Sequence, residues 1–143
     1  MLDWKILAIF VPFLFVTYQT LSKLLPKGTS AFLVNAYASC IGMLVMLLLH
    51  FLFSSNKSLE LNSKVIPIVI GIGLLISLGN FGIIKAYALG APQSLFTPIF
   101  YIALIIYGVV FGLVIWHERI NFLQLVGIAI AVTGLFMTAY FKK

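Results

Sequence analysis

Long uncharged stretches are the feature that most restricts how this chain can fold. Its nine basic and three acidic side chains are placed so that five long intervals carry no charge. These intervals are residues 6–22, 28–56, 65–84, 86–117 and 120–141. A helix rises about 1.5 Å per residue and membrane hydrocarbon is about 30 Å thick, so each interval suits one membrane crossing and none suits two.

The intervals predict an all-α polytopic membrane protein with five transmembrane helices. Residues 1–143 are expected to form one domain. Pro, Gly, Asn and Ser near the ends of the intervals set the expected helix boundaries. The helices are predicted at residues 4–23, 30–53, 65–88, 93–115 and 121–141.

Composition excludes a soluble protein. Hydrophobic residues make up 63% of the chain and charged residues 8%, whereas soluble domains carry about 25% charged residues. The net charge of +6 does not indicate nucleic-acid binding, because the basic residues are spread along the chain at helix ends, where they can snorkel to lipid headgroups. We expect a multi-pass protein of the inner or plasma membrane, surrounded by the lipid bilayer.

Basic residues do not decide the orientation of the chain in the membrane. Lys and Arg normally favour the cytoplasmic side, but here five spans divide them almost equally between the two sides. The chain is therefore expected to insert in both orientations or to be oriented by a partner.

Many transporters place two inverted repeats around a central site. Because five is an odd number of spans, a second copy fused after the first would have the opposite orientation in the membrane. This predicts one half of an inverted-repeat transporter; a five-helix protein of fixed orientation is the alternative.

Polar side chains collect on single faces of the second, third and fourth predicted helices, judged at 100° per residue, and in a cluster towards the end of the first. An amide that faces lipid lacks hydrogen-bond partners, so these faces should point towards protein or a wet cavity. Hydrogen bonding between helices is the alternative to cavity lining. The residues expected to bind a polar solute are Tyr18, Gln19, Asn35, Ser77, Asn80, Thr97 and Tyr101.

Glycines form ridges on the last two predicted helices. Gly108 and Gly112 make a GxxxG spacing, and Gly127 and Gly134 lie on one face of the final helix. Small residues at such spacing let helix backbones approach closely in lipid. These four glycines are expected to pack against another helix, and for the final helix that partner lies in the same chain or in a second protomer.

Few residues are available for catalysis or metal binding. Of the acidic residues, Asp3 and Glu60 are predicted in the terminus and a loop, which are poor places for a general acid or base. His50 and His117 form no metal-binding pattern with Cys40. No enzymatic activity, metal or cofactor is expected.

Three ionisable residues have both a structural and a functional interpretation. Lys85 lies near the end of the third predicted helix, where it either snorkels or supplies a positive charge to an anionic or zwitterionic substrate. His117 and Glu118 lie in the turn after the fourth helix. Either Glu118 pairs with Arg119 or a lysine at the headgroup level, or the two residues form a gate that responds to protonation.

The most specific sequence motifs of the chain lie between residues 80 and 134. Residues 85–98 read Lys-Ala-Tyr-Ala-Leu-Gly-Ala-Pro-Gln-Ser-Leu-Phe-Thr-Pro, and an apolar helix then leads to Trp-His-Glu-Arg-Ile-Asn at 116–121. Gln124, Gly127 and Gly134 follow in the last helix. These residues resemble the EamA domain of the drug/metabolite transporter superfamily, in which the turn usually has Gly-Glu where this chain has His117-Glu118. Looser similarity extends over nearly the whole chain.

The resemblance implies a five-helix half of a ten-helix carrier that moves small polar metabolites or drugs by alternating access. The related small multidrug resistance proteins use a carboxylate in their first helix for proton exchange, and the first helix here has none. We therefore expect a transporter subunit that works as a homodimer, parallel or antiparallel, or as a heterodimer with a similar chain. An accessory or regulatory membrane subunit and a subunit of a lipid-linked sugar flippase are the alternatives.

Overall fold

Five α-helices make up the computed structural model, which describes residues 4–140 and, for Trp4, only the backbone. The helices are α1 (Trp4–Lys23), α2 (Ala31–Phe53), α3 (Ile66–Ala88), α4 (Gln93–Val114) and α5 (Phe122–Tyr140). The predicted boundaries agree with them to within one residue, except that predicted position 141 lies outside the described residues. No β-strand occurs between residues 4 and 140.

All five helices are long and apolar enough to cross a membrane. At about 1.5 Å per residue, their 19 to 23 residues span roughly the thickness of the hydrocarbon layer. Large apolar side chains are widely exposed on them, for example Ile9 at 79% and Leu75 at 72%. In water such a surface would be strongly unfavourable, so lipid is the medium in which this fold is stable. The protein is a multi-pass membrane protein.

The chain divides into two compact units, which we call the three-helix unit (Met1–Gly90) and the hairpin unit (Ala91–Lys143). In the three-helix unit, α3 packs against both α1 and α2. The Phe32 and Phe81 rings stack with centroids 4.4 Å apart. Ile83, Ile84 and Tyr87 are buried near the end of α3. Residues three and four apart share one face of a helix, so these three form the buried face of α3.

The hairpin unit consists of α4 packed against α5. Helix α5 begins with a capping box, in which two side chains satisfy backbone N–H groups that have no partner within the helix. Asn121 Oδ1 accepts from the Leu123 N–H at 3.3 Å, and Gln124 Oε1 accepts from the Asn121 N–H at 2.9 Å. The Asn-x-x-Gln spacing in the sequence is therefore what starts α5 at this point.

Candidate functional site

Hydrogen bonds between helices use several of the polar residues predicted to bind a solute. Asn35 Nδ2 on α2 donates to the Ser77 carbonyl on α3 at 2.9 Å. The Tyr18 hydroxyl on α1 donates to the Asn80 carbonyl on α3 at 3.2 Å. Both acceptors are main-chain oxygens inside a helix, which have a second lone pair for such a bond. The polar faces of α1, α2 and α3 therefore meet at α3, where they hold the three helices together.

Gln19 makes the most deeply buried of these links. Its side chain is fully buried, and its Oε1 accepts a hydrogen bond from the Tyr87 hydroxyl at 3.0 Å. Tyr87 is itself 6% exposed. Tyr87 was not among the residues predicted from the sequence, although it lies seven residues after Asn80 and thus on the same face of α3. That spacing is the signal that could have identified it.

A small cavity adjoins the link between Tyr18 and Asn80. It has a volume of 250 Å³ and is lined by Leu14, Phe15, Tyr18 and Asn80. Within residues 4–140, the side-chain amide of Asn80 takes part in no hydrogen bond, since only its main-chain carbonyl is used. This cavity, which we call the Asn80 cavity, therefore combines an apolar wall with an amide that can both donate and accept.

Thr97 and Tyr101 lie one turn apart on α4, in the hairpin unit. Tyr101 is partly buried, and its hydroxyl is inaccessible yet has no hydrogen-bond partner within the described part of the chain. Leaving a buried hydroxyl unpaired costs about 1 to 3 kcal/mol. The Tyr101 hydroxyl is therefore a group to which a polar solute or a water molecule would bind favourably.

The turn between α4 and α5 brings Glu118 back over α4. The Glu118 N–H donates to the Gly112 carbonyl at 3.0 Å, and His117 adopts a φ of 52°. A Cβ atom built on Gly112 would lie 2.7 Å from Glu118 Oε2. Only glycine at position 112 leaves room for the carboxylate where it lies. The sequence analysis predicted the turn, but not this contact.

The ionisable turn residues do not pair as one interpretation of the sequence expected. His117, Glu118 and Arg119 are exposed, and no ion pair or side-chain hydrogen bond involves the Glu118 carboxylate or the Arg119 guanidinium anywhere in residues 4–140. Lys85 is exposed in the last turn of α3. Its exposure agrees with snorkelling and places no positive charge inside the three-helix unit.

The glycine ridges are more open than the sequence suggested. Added Cβ atoms at Gly108, Gly127 and Gly134 would meet nothing within 4 Å, and Gly112 faces the Glu118 side chain rather than a helix. Close packing of these glycines against a helix of the same chain is therefore not what the described residues show. Their packing against a second chain stays a prediction.

A larger cavity, the turn cavity, lies within the hairpin unit and has a volume of 580 Å³. Glu118, Arg119 and Gln124 line it together with Gly108 and Gly127. Ligand-binding cavities commonly have volumes of about 300 to 1,000 Å³. Charged groups at the turn and small residues along the two helices thus line an open space whose volume lies within this range.

Comparison with protein families identifies the family of this chain. The model of the EamA-like transporter family matches residues 3–140, and so almost the entire chain. The chain belongs to the EamA-like transporter family. It has no significant match among curated proteins or solved structures. The resemblance predicted for nearly the whole chain, with its most specific motifs at residues 80–134, is thus confirmed.

The turn between α4 and α5 places a histidine in a backbone conformation that favours glycine. The family's usual Gly-Glu pair is His117-Glu118 in this chain, and His117 lies at a φ that favours glycine. Histidine tolerates this left-handed region better than most residues do. His117 therefore adopts the left-handed conformation of this turn at some conformational cost.

Proposed function

We propose that this EamA-like protein is one half of an alternating-access carrier for a small polar solute, and that two chains make the working unit. Its family consists of membrane transporters. Five spans form an odd number, so a second copy inserted in the opposite sense would supply the inverted repeat from which many carriers are built. The nearly equal numbers of basic residues on the two sides support an antiparallel homodimer or a heterodimer with a similar chain.

The solute-binding residues proposed in the three-helix unit are Asn80 and Tyr18 at the Asn80 cavity. Tyr101, on α4 of the hairpin unit, is proposed separately as a further solute-binding group. The observation that carries this assignment is the unused amide of Asn80 at a cavity wall. A neutral amide and a phenol hydroxyl suit a solute that offers hydrogen-bond donors and acceptors, and an adjoining aromatic ring suits its flat or apolar part. Asn35, Gln19 and Ser77 position the helices of the three-helix unit, and Thr97 lies one turn before Tyr101 on α4.

Reconstituted protein tests this proposal. Proteoliposomes are loaded with a defined mixture of isotopically labelled amino acids, nucleosides and quaternary ammonium compounds, and efflux is followed by mass spectrometry. We expect saturable, protein-dependent efflux of at least one class. Asn80→Ala should raise the KM for that solute by about tenfold, which corresponds to about 1.4 kcal/mol. Thr133→Ala is the matched control, because Thr133 bonds only within its own helix, to the Ala129 carbonyl at 2.8 Å.

Three results would contradict the proposal. Absence of flux together with obligatory copurification of a larger membrane protein would indicate an accessory subunit instead. Transport by Asn80→Ala protein with wild-type KM would remove Asn80 from the site. Reporter tags on the two termini that show a single orientation, in a preparation that transports as a homodimer, would exclude the antiparallel arrangement.

A further inference from the structure

The turn cavity contains one acidic and one basic group that have no partner. Glu118 and Arg119 both line it, and within residues 4–140 neither forms an ion pair with the other or with any other group. The Glu118 carboxylate lies against Gly112 on α4 and makes no contact with Arg119 that would count as an ion pair. The mouth of the cavity therefore presents a negative and a positive group as separate binding points.

The rest of the turn cavity is apolar or small. Ile105 and Val109 line it on α4, and Ile128 and Ala131 line it on α5. Ile105 and Ala131 each lie nine residues from the turn end of their helix, so the walls reach about 13 Å from the turn along the helix axes. Gly108 and Gly127 leave the space between the walls open. The occupant of such a cavity has a charged end and a long apolar end.

The position of the turn indicates the depth of the charged end. Trp116, two residues before Glu118, is 74% exposed, and tryptophan is enriched where lipid headgroups meet hydrocarbon. Glu118 and Arg119 therefore lie at headgroup level, and the apolar walls extend from there towards the bilayer centre. A membrane lipid has its charged and apolar parts in this same order.

We propose that the turn cavity binds a zwitterionic phospholipid with a primary amine, phosphatidylethanolamine. Its ammonium group donates to the Glu118 carboxylate, and the Arg119 guanidinium donates to its phosphate. One acyl chain lies along Ile105 and Ile128. Phosphatidylglycerol has no ammonium group for Glu118, and the quaternary ammonium of phosphatidylcholine has no N–H to donate. Such a lipid supplies a partner of opposite sign to each of the two turn charges at headgroup level.

The native tryptophan beside the site reports binding directly. Trp4→Phe protein, in which Trp116 is the only tryptophan, is reconstituted in phosphatidylcholine vesicles that contain a minor fraction of brominated lipid. Brominated phosphatidylethanolamine should quench Trp116 more strongly than brominated phosphatidylcholine or phosphatidylglycerol at equal mole fraction. Glu118→Gln and Arg119→Gln should each lower this preference about two- to fivefold, the range for a partly exposed ion pair. Glu60→Gln and Lys64→Gln, in the loop between α2 and α3, should leave it unchanged.

A second pair of variants tests the acyl-chain part of the site. Gly127→Leu fills the cavity and should abolish the preference, whereas Gly134→Leu adds the same side chain to α5 outside it and should not. Equal quenching of Trp116 by the three lipids in otherwise unaltered protein would overturn the proposal without any further variant. An unchanged preference for phosphatidylethanolamine in both Glu118→Gln and Arg119→Gln would also overturn it. An equal loss of this preference in Gly127→Leu and Gly134→Leu would do the same. Because the measurement is of binding alone, its result is independent of whether the protein transports a solute.

Discussion

In the three-helix unit, hydroxyl and amide groups join one helix to another, whereas in the hairpin unit the charged groups of the turn pair with no described residue and lie beside an open cavity. Gln19 and Tyr87 bury their hydrogen bond almost completely. Glu118 and Arg119 are both exposed. Apolar helices of one chain therefore differ in what lies between them. Polar contacts join α1, α2 and α3, whereas glycines leave open space beside α4 and α5.

The largest effect on stability is expected at Gln19. Gln19→Ala removes the acceptor of the Tyr87 hydroxyl and leaves a space in a fully buried site, so we expect a loss of about 2 kcal/mol in the free energy of unfolding. Titration with a denaturing detergent, followed by circular dichroism, measures the loss. Thr17→Ala is the control, because its hydroxyl bonds only to the Phe13 carbonyl of the same helix. A difference below about 0.5 kcal/mol between the two variants would show that the polar links do not fix the three-helix unit.

A gain in stability is expected at the turn of the hairpin unit. His117→Gly relieves the left-handed backbone at φ 52° and should raise the free energy of unfolding by about 1 kcal/mol. His117→Ala is the matched control, since it removes the imidazole but keeps a Cβ atom, and it should give no gain. Equal stabilities for the alanine and glycine variants, measured by thermal unfolding in detergent, would mean that the turn carries no backbone strain.

The smallest expected effect distinguishes two glycines of α4. Alanine is a better helix former than glycine by about 0.5 to 1 kcal/mol, and Gly108→Ala should gain this because the added methyl group meets nothing. Gly112→Ala should gain less, because its methyl group would displace the Glu118 carboxylate. In a Glu118→Ala background the two gains should become equal. A full gain from Gly112→Ala in protein that keeps Glu118 would show that the carboxylate does not need this position.

The candidate site was only partly predictable from the sequence. Facial polarity identified Asn35 and Asn80, and the polar cluster near the end of the first helix identified Tyr18, as residues that avoid lipid, since an amide or hydroxyl in hydrocarbon requires a partner. The pattern could not decide between a solute and a neighbouring helix as that partner. In the structure, Asn35 bonds to the Ser77 carbonyl, while the Asn80 amide stays available at a cavity. A polar side chain on a helix face can thus either join two helices, as Asn35 does, or line a cavity, as Asn80 does.

The sequence by itself determined the five helices, their limits and their membrane environment, because backbone groups in lipid must be hydrogen-bonded within a helix and charged residues must lie near its ends. Only the tertiary structure decided which polar groups meet. The hydrogen bond between Gln19 and Tyr87 joins residues 68 positions apart, and the place of Glu118 over Gly112 depends on the backbone angle of the residue before it. Such contacts depend on how helices pack and turns close, and neither hydropathy nor spacing along the chain encodes them directly.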